Sequence, residues 1–371
     1  MRLIDLSLGQ LAEPLPQAAR LALAGSGGAE YAPVAGSACL RSAVAAHYVR
    51  RGLETATASG ITVSAGGRHG LLAAIAAVAA GGEVLVPRPH WSHYPKVVAF
   101  AGAHPVPVDG DPADGWLTRP ALLNARCTAR TRALIVNSPV NPTGSVYDAH
   151  ALAEISAWAA RREIHLIVDD SYWAFGNGGH LAPAGELATV VGSATKTHAM
   201  AGLRVGWVWS HHTLLTRIRD FVEHTTGPAS APGQAAVAAV LDDDAAVATR
   251  ADRLRALRDY SIQLFGAVPL LRAVPPAGGI YLCLDASAAL RDGAYGSADD
   301  HELCARLAEV AGVRLRAGST FGLDGHLRLC VAAPREVLRA AAERLTRFFS
   351  AARRPVAASA GPVLAGGAPC Q

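Results

Sequence analysis

The stretch ALIVNSPVNPTG, residues 133–144, joins a short apolar run to a turn holding two asparagines and two prolines. A run of this length with β-branched residues reads as a strand, and the turn fixes its side chains at the strand's C-terminal end. That rim is where open α/β sheets bind ligands. Similar apolar runs lie on either side: Gly60–Ser64, Glu83–Pro87, His104–Val108, His165–Asp169, Thr189–Ser193 and Val205–Trp209. Between them lie helical patterns such as Leu71–Ala79, with Leu71, Ile75 and Val78 on one face, and His150–Arg162. Strand–helix alternation of this kind predicts a mostly parallel seven-stranded sheet with helices on both faces, an α/β/α large domain.

Farther out, 244–266 reads as one long helix leading away from the sheet, followed by strands at 279–284 and 326–332 and helices at 299–311 and 334–350. These predict a smaller α+β domain. The expected division is 1–27 as an N-terminal segment, 28–255 as the large domain, 256–352 as the small one, and 353–371 as a tail expected to be disordered.

Composition bounds what such a chain does. Its 371 residues are 51% hydrophobic and 17% charged with a net charge of +4, enough to bury a large core and too weakly basic to argue for nucleic acid. The longest apolar run, Leu71–Ala80, has ten residues, about half of the ~20 that a membrane span requires. Asp5 interrupts what would have to be a signal peptide, so no export is expected. The six cysteines are dispersed without a C-x-x-C, which reads as reduced thiols of a cytoplasmic protein and offers no metal-ligand spacing.

Four segments carry chemistry at strand ends. Val63-Ser-Ala-Gly-Gly-Arg-His-Gly70 places a glycine pair before a helix whose free N–H groups suit an anion, though it fits neither common nucleotide-binding pattern. The second is Asn137–Gly144. The third ends at Asp169, with Tyr172 three residues on, and a carboxylate in an apolar strand end calls for a cation. The fourth is Ser193-Ala-Thr-Lys196, followed by Arg204-Val-Gly-Trp207. An acid, a phenol, a lysine, an arginine and an anion nest on one rim describe a site for a phosphorylated aromatic cofactor that bonds to an amine.

The set N-P-T-G at 141–144, D-x-x-Y at 169–172, S-x-x-K at 193–196 and R-x-G at 204–206 resembles fold-type I pyridoxal-phosphate enzymes, and more narrowly the aspartate-aminotransferase-like class I/II group. Tyr31-Ala-Pro-Val-Ala-Gly36 with Leu40-Arg41, and Val313–Ser319 with His326-Leu-Arg328, agree with the same family. The resemblance implies a pyridoxal 5'-phosphate-dependent aminotransferase acting on an L-amino acid and a 2-oxo acid. It implies Lys196 as Schiff-base lysine and proton shuttle, Asp169 on the ring nitrogen, and Asn141 and Tyr172 on the ring's phenolic oxygen. The phosphate would rest on the N–H groups of Gly67 and Arg68, on Ser193 and on Arg204, with Trp91 stacked on the ring. Arg328 would hold the substrate carboxylate, with Gly9 and Asn141 beside it.

Tyr31 would reach the phosphate of a neighbouring subunit, which implies a homodimer with shared sites. Only about eight residues precede Gly9, fewer than in relatives, so a more open site is expected. His198 and His69 are candidate side-chain contacts, and Glu13 and Glu30 candidate partners of a cationic substrate. A nonproteinogenic amino acid such as enduracididine is one possible product. A lyase, cyclase or oxidase on the same fold, or a non-catalytic sensor module, are the rival readings.

Overall fold

The computed structural model describes residues 2–27, 30–176, 187–293 and 295–351; the tail expected from residue 353 lies outside them. Seven strands form the large sheet: β1 (Ile61–Ser64), β2 (Glu83–Arg88), β3 (His104–Asp109), β4 (Thr131–Asn137), β5 (His165–Asp169), β6 (Ala188–Ser193) and β7 (Gly206–Ser210). Their order across the sheet is β1-β7-β6-β5-β4-β2-β3. β7 runs antiparallel to both of its neighbours, and the other strand pairs are parallel.

Alternation along each central strand feeds two separate cores, as layers on both faces of a sheet require. Leu134, Val136, Leu166 and Val168 pack with Tyr48, Trp158 and Trp207 on one face. Ala133, Ile135 and Ile167 pack with Leu71, Ile75 and Ile218 on the other. Every residue of β5 is buried, which explains why its sequence is an unbroken apolar run up to Asp169.

Helix α1 (Gly67–Ala79) follows β1 and buries Leu71 and Ile75 against the sheet. Helix α2 (Asp244–Gly266) begins at Asp243, whose side chain accepts from the Ala246 N–H at 3.0 Å. Its 23 residues span about 35 Å. Leu254 packs beside Phe175 and Tyr172, whereas Phe265 packs with Leu282, Leu329 and Phe349. The division expected between 255 and 256 therefore falls inside an unbroken helix that joins two cores, and it stands as a proposal about cooperative units.

The second sheet contains β8 (Arg272–Val274), β9 (Tyr281–Asp285), β10 (Arg316–Ala317) and β11 (His326–Cys330), all antiparallel in the order β10-β11-β9-β8. Strand pattern alone did not indicate β8 or β10, which are three and two residues long. The helix expected at 299–311 is Asp300–Arg306, continued to Ala311 by a wider π turn. At the N-terminus, Ile4–Asp5 pairs in parallel with Val313–Arg314, and the Cys330 N–H donates to the Leu6 carbonyl at 2.8 Å. These bonds draw Ser7, Leu8 and Gly9 across the space between the two sheets.

Candidate active site

One cavity of about 290 Å³ opens at the rim of the large sheet. The C-terminal ends of β1, β4, β5 and β6 reach it. Because β7 is antiparallel, its beginning lies at the same rim, with Arg204 two residues ahead of it.

The anion cradle is built around glycines that neighbouring groups approach closely. Gly66 has φ +86°, and a Cβ there would lie 2.6 Å from Arg204 Nη2. A Cβ on Gly206 would stand 2.5 Å from the backbone of Gly66 and Gly67, and one on Gly67 would press on Ser193 at 3.3 Å. Backbone, Ser193 and the Arg204 guanidinium are therefore packed as closely as atoms allow. Gly67 and Arg68 form the first turn of α1, whose N–H groups have no partner within the helix.

Asp169 closes another wall. Its carboxylate accepts from Tyr94 Oη at 2.6 Å, from Ser171 Oγ at 2.6 Å and from the Ser171 N–H at 3.1 Å. Burial, then the carboxylate itself, pushes the Tyr94 phenol well above its ordinary value, so it stays a donor. Asn137 Nδ2 donates to the Asp169 carbonyl at 3.0 Å, and Asn137 Oδ1 accepts from the Asn141 N–H at 3.1 Å. The two asparagines of the quoted turn thus brace β4 against β5.

Lys196 donates through Nζ to the Gly9 carbonyl. Burial lowers its ammonium from the usual 10.5 to about 8, with Arg328 and Arg204 pushing the same way against Cys330 and Asp169. Neutral amine, the nucleophilic form, is accordingly accessible near physiological pH.

Arg328, only 5% exposed, lies 4.0 Å above the Tyr281 ring and 4.4 Å from Phe321. Nη1 donates to Asn141 Oδ1 at 3.0 Å and Nη2 to the Ser7 carbonyl at 2.7 Å, while Nε is buried with no partner among the described residues. A buried guanidinium held by neutral oxygens alone is an anion site.

Of the residues singled out in the sequence, Gly9, Gly67, Arg68, Trp91, Asp169, Tyr172, Ser193, Lys196, Arg204 and Arg328 line this cavity. Asn141 reaches it through Arg328. Tyr31 stands outside its own chain's cavity and is 95% exposed, unlike the buried tyrosine of a monomer.

Four further candidates do not line this cavity. His198 is buried away from the cavity, and His69 bonds Thr225 Oγ1 at 2.8 Å behind the anion cradle. Glu13 binds a cation from within the chain, pairing with Arg250 at 2.9 Å and with Arg253. Glu30 is exposed and does not line the cavity.

Sequence reasoning missed Tyr94, Tyr281, Phe321 and Arg316, which also line it. Tyr94 lies three residues after Trp91, but nothing local tells that it meets a carboxylate 75 positions away.

A rim site with an amine, an acid and two anion seats defines an enzyme that handles a phosphorylated cofactor and a carboxylate-bearing substrate. The chain matches aminotransferase class I and II over residues 2–345. It is 33% identical to the aspartate/prephenate aminotransferase of Thermus thermophilus over 349 residues, 92% of this chain and 88% of that one. It is 32% identical to the aspartate aminotransferase of Streptomyces avermitilis, over 87% and 82% of the two chains. The solved aspartate aminotransferase of Thermus thermophilus with maleate superposes with a TM-score of 0.86 at 31% identity, covering 93% of this chain and 91% of that one. The chain belongs to the class I and II aminotransferase family. It is a transaminase, and its cofactor is pyridoxal 5'-phosphate.

The residues present fit that group. The glycine cradle could take the phosphate, Asp169 the ring nitrogen, Trp91 a ring face and Lys196 the aldehyde carbon.

Proposed function

We propose that the protein moves an amino group between an L-amino acid and a 2-oxo acid, with Lys196 carrying the proton at the substrate α-carbon. The observation that carries this reading is the convergence of Lys196, Asp169, Arg204 and Arg328 on one cavity. When bound, pyridoxal 5'-phosphate supplies an aldehyde that takes up amines and a ring that withdraws electrons from the α-carbon. Lys196, with its ammonium lowered to about 8, alternates between base and acid near neutral pH. Asp169, oriented by Tyr94 and Ser171, holds a proton on the ring nitrogen. Arg204, Ser193 and the first turn of α1 anchor the phosphate, and Arg328 turns the substrate carboxylate with the fork that only a guanidinium presents. Tyr172, 3.2 Å from Tyr281 through their hydroxyls, remains a phenol because burial, then Tyr281, holds its pKa well up. It serves as a donor to the ring's phenolic oxygen.

At least one partner of the exchange is acidic. Asp169 is the one carboxylate among the described lining residues, and Glu13 is tied to Arg250 and Arg253. A cationic product such as enduracididine therefore finds less support in this cavity than an acidic partner does. The exposure of Tyr31 supports a homodimer in which it is covered, completing a neighbour's phosphate seat. No described helix is long and apolar enough to cross a membrane, and the dispersed cysteines, unpaired among the described residues, support a cytoplasmic location.

Incubation of the holoenzyme with single L-amino acids tests the reaction. Conversion of the cofactor to its amine form without a second substrate is expected, followed by reversal on adding a 2-oxo acid. Release of ammonia with a cyclised, eliminated or oxidised product would replace transamination with another reaction. In Lys196→Ala the visible band of the lysine-bound cofactor should disappear; a wild-type level of reducible, lysine-bound cofactor retained in this variant would place the attachment at another lysine and overturn the assignment.

A further inference from the structure

We propose that Arg316 reads a second anionic group on the acidic substrate, which makes it the residue that separates dicarboxylic or phosphorylated amino acids from monocarboxylic ones. This rests on the transaminase reading of the same cavity and adds a specificity to it.

The argument begins with register. β10 and β11 pair antiparallel with Arg316 directly opposite Arg328. Directly opposed residues project from the same face of a sheet, and like charges placed so repel each other. The fold places two arginines opposite each other at a cavity where a single one would seat an α-carboxylate. Both line the cavity.

Their surroundings differ. Arg328 is buried, sandwiched by Tyr281 and Phe321, and bonded to Asn141 and Ser7. Arg316 lies on the edge strand, exposed, and its side chain makes no hydrogen bond or ion pair with the described residues. The remaining cavity cations have duties. Lys196 is at the Gly9 carbonyl, Arg204 is at the glycine cradle, and Arg68 lies 5.1 Å over the Trp91 ring. The charge that Arg316 adds reaches His93, which also lines the cavity. Burial lowers the His93 pKa, and Arg68, Lys96 and Arg316 lower it further, so this side of the cavity gathers positive charge.

An amino or oxo acid held at Arg328 by its α-carboxylate directs its side chain along the same cavity. A carboxylate or phosphate at the end of a short side chain relieves the Arg316–Arg328 repulsion and gains a charge-assisted, two-pronged contact. An uncharged side chain does neither. Phosphate and carboxylate share this chemistry, and the test separates them.

The experiment uses holoenzyme, wild type and Arg316→Gln, with Arg316→Lys as the conservative variant. Binding is read from perturbation of the cofactor's visible absorption by maleate, a dicarboxylate with no amine to react, and by acetate as its monocarboxylic counterpart. KM is measured for aspartate, O-phosphoserine and alanine. In Arg316→Gln, maleate binding should weaken about tenfold to a hundredfold. The ratio of the aspartate KM to the alanine KM should rise by a similar factor, with partial recovery in Arg316→Lys. Whichever of aspartate and O-phosphoserine loses more identifies the anion the site is built for. Equal losses for maleate and acetate would overturn the proposal, because Arg316 would then serve the α-carboxylate. An unchanged maleate affinity would overturn it as well. If the wild type transfers no amino group from any donor, that failure falls on the transaminase reading, and the maleate measurement still decides the role of Arg316.

Discussion

Replacing Lys196 with methionine should make the cofactor-free protein more stable near neutral pH, against the usual cost of altering a buried residue. Burial holds the Lys196 ammonium at about 8, against 10.5 in an exposed chain. The unfolded chain therefore binds this proton more tightly than the folded one. The penalty is fully present below pH 8, shrinks as pH rises from there toward 10.5, and is gone above it. It amounts to roughly 3 kcal/mol near pH 7 and roughly 1.5 kcal/mol near pH 9.5. Loss of the bond from Nζ to the Gly9 carbonyl offsets about 1 kcal/mol. The net expectation is a variant stabilised by about 2 kcal/mol near pH 7, an advantage that is mostly lost near pH 9.5. Urea unfolding of both apoproteins at the two pH values, followed by tryptophan fluorescence, measures it. All other titrating groups are common to the two chains, so the difference isolates this lysine. A variant no more stable than wild type near pH 7, or an advantage that does not shrink with pH, would refute the claim that burial sets the protonation of this amine.

Three further outcomes follow from close contacts. Gly206→Ala places a Cβ 2.5 Å from the backbone of Gly66 and Gly67; it should cost about 1–3 kcal/mol in unfolding experiments and weaken cofactor binding in equilibrium dialysis. Gly9→Ala puts a Cβ 1.7 Å from Tyr281 Oη, which must move away from Tyr172 and Arg328. Steady-state kinetics should show the amino-acid KM rising about tenfold or more. Arg51→Met strips Asp170 of its bonds at 2.5 and 2.9 Å and leaves a buried carboxyl unpaired, a loss of about 3–5 kcal/mol in denaturant. Much of it should return in Arg51→Met/Asp170→Leu, where neither charge remains.

The large sheet was legible because its signal is local. Runs such as His165–Asp169 are buried on both faces and carry no polar break, so each announces a strand by itself, and Ala-rich helices between them imply parallel connections. The short strands of the second sheet were not legible: Arg272–Val274 and Arg316–Ala317 are too brief to show alternation and exist because longer neighbours template them. In the site, residues belonging to strand-end motifs were found, and those brought in by distant elements were not. Tyr281 illustrates the difference. It sits in an ordinary apolar strand, and only its pairing in the sheet sets its ring under Arg328 and its hydroxyl at Tyr172. Glu13 and His198 show the limit from the other side, since proximity in sequence to motif residues carried no information about which way their side chains turn.

The sequence alone indicated the order of the longer elements, and its motifs, through the resemblance they carry, pointed to the cofactor and to Lys196, Asp169, Arg204 and Arg328 as candidate site residues. The tertiary structure decided what each of those groups touches. The reversal of β7 brings Arg204 to the rim, Tyr94 crosses to Asp169, and one register pairs Arg316 with Arg328. These are contacts between segments far apart in the chain. Their geometry is set by the packing of whole layers, which no local pattern encodes.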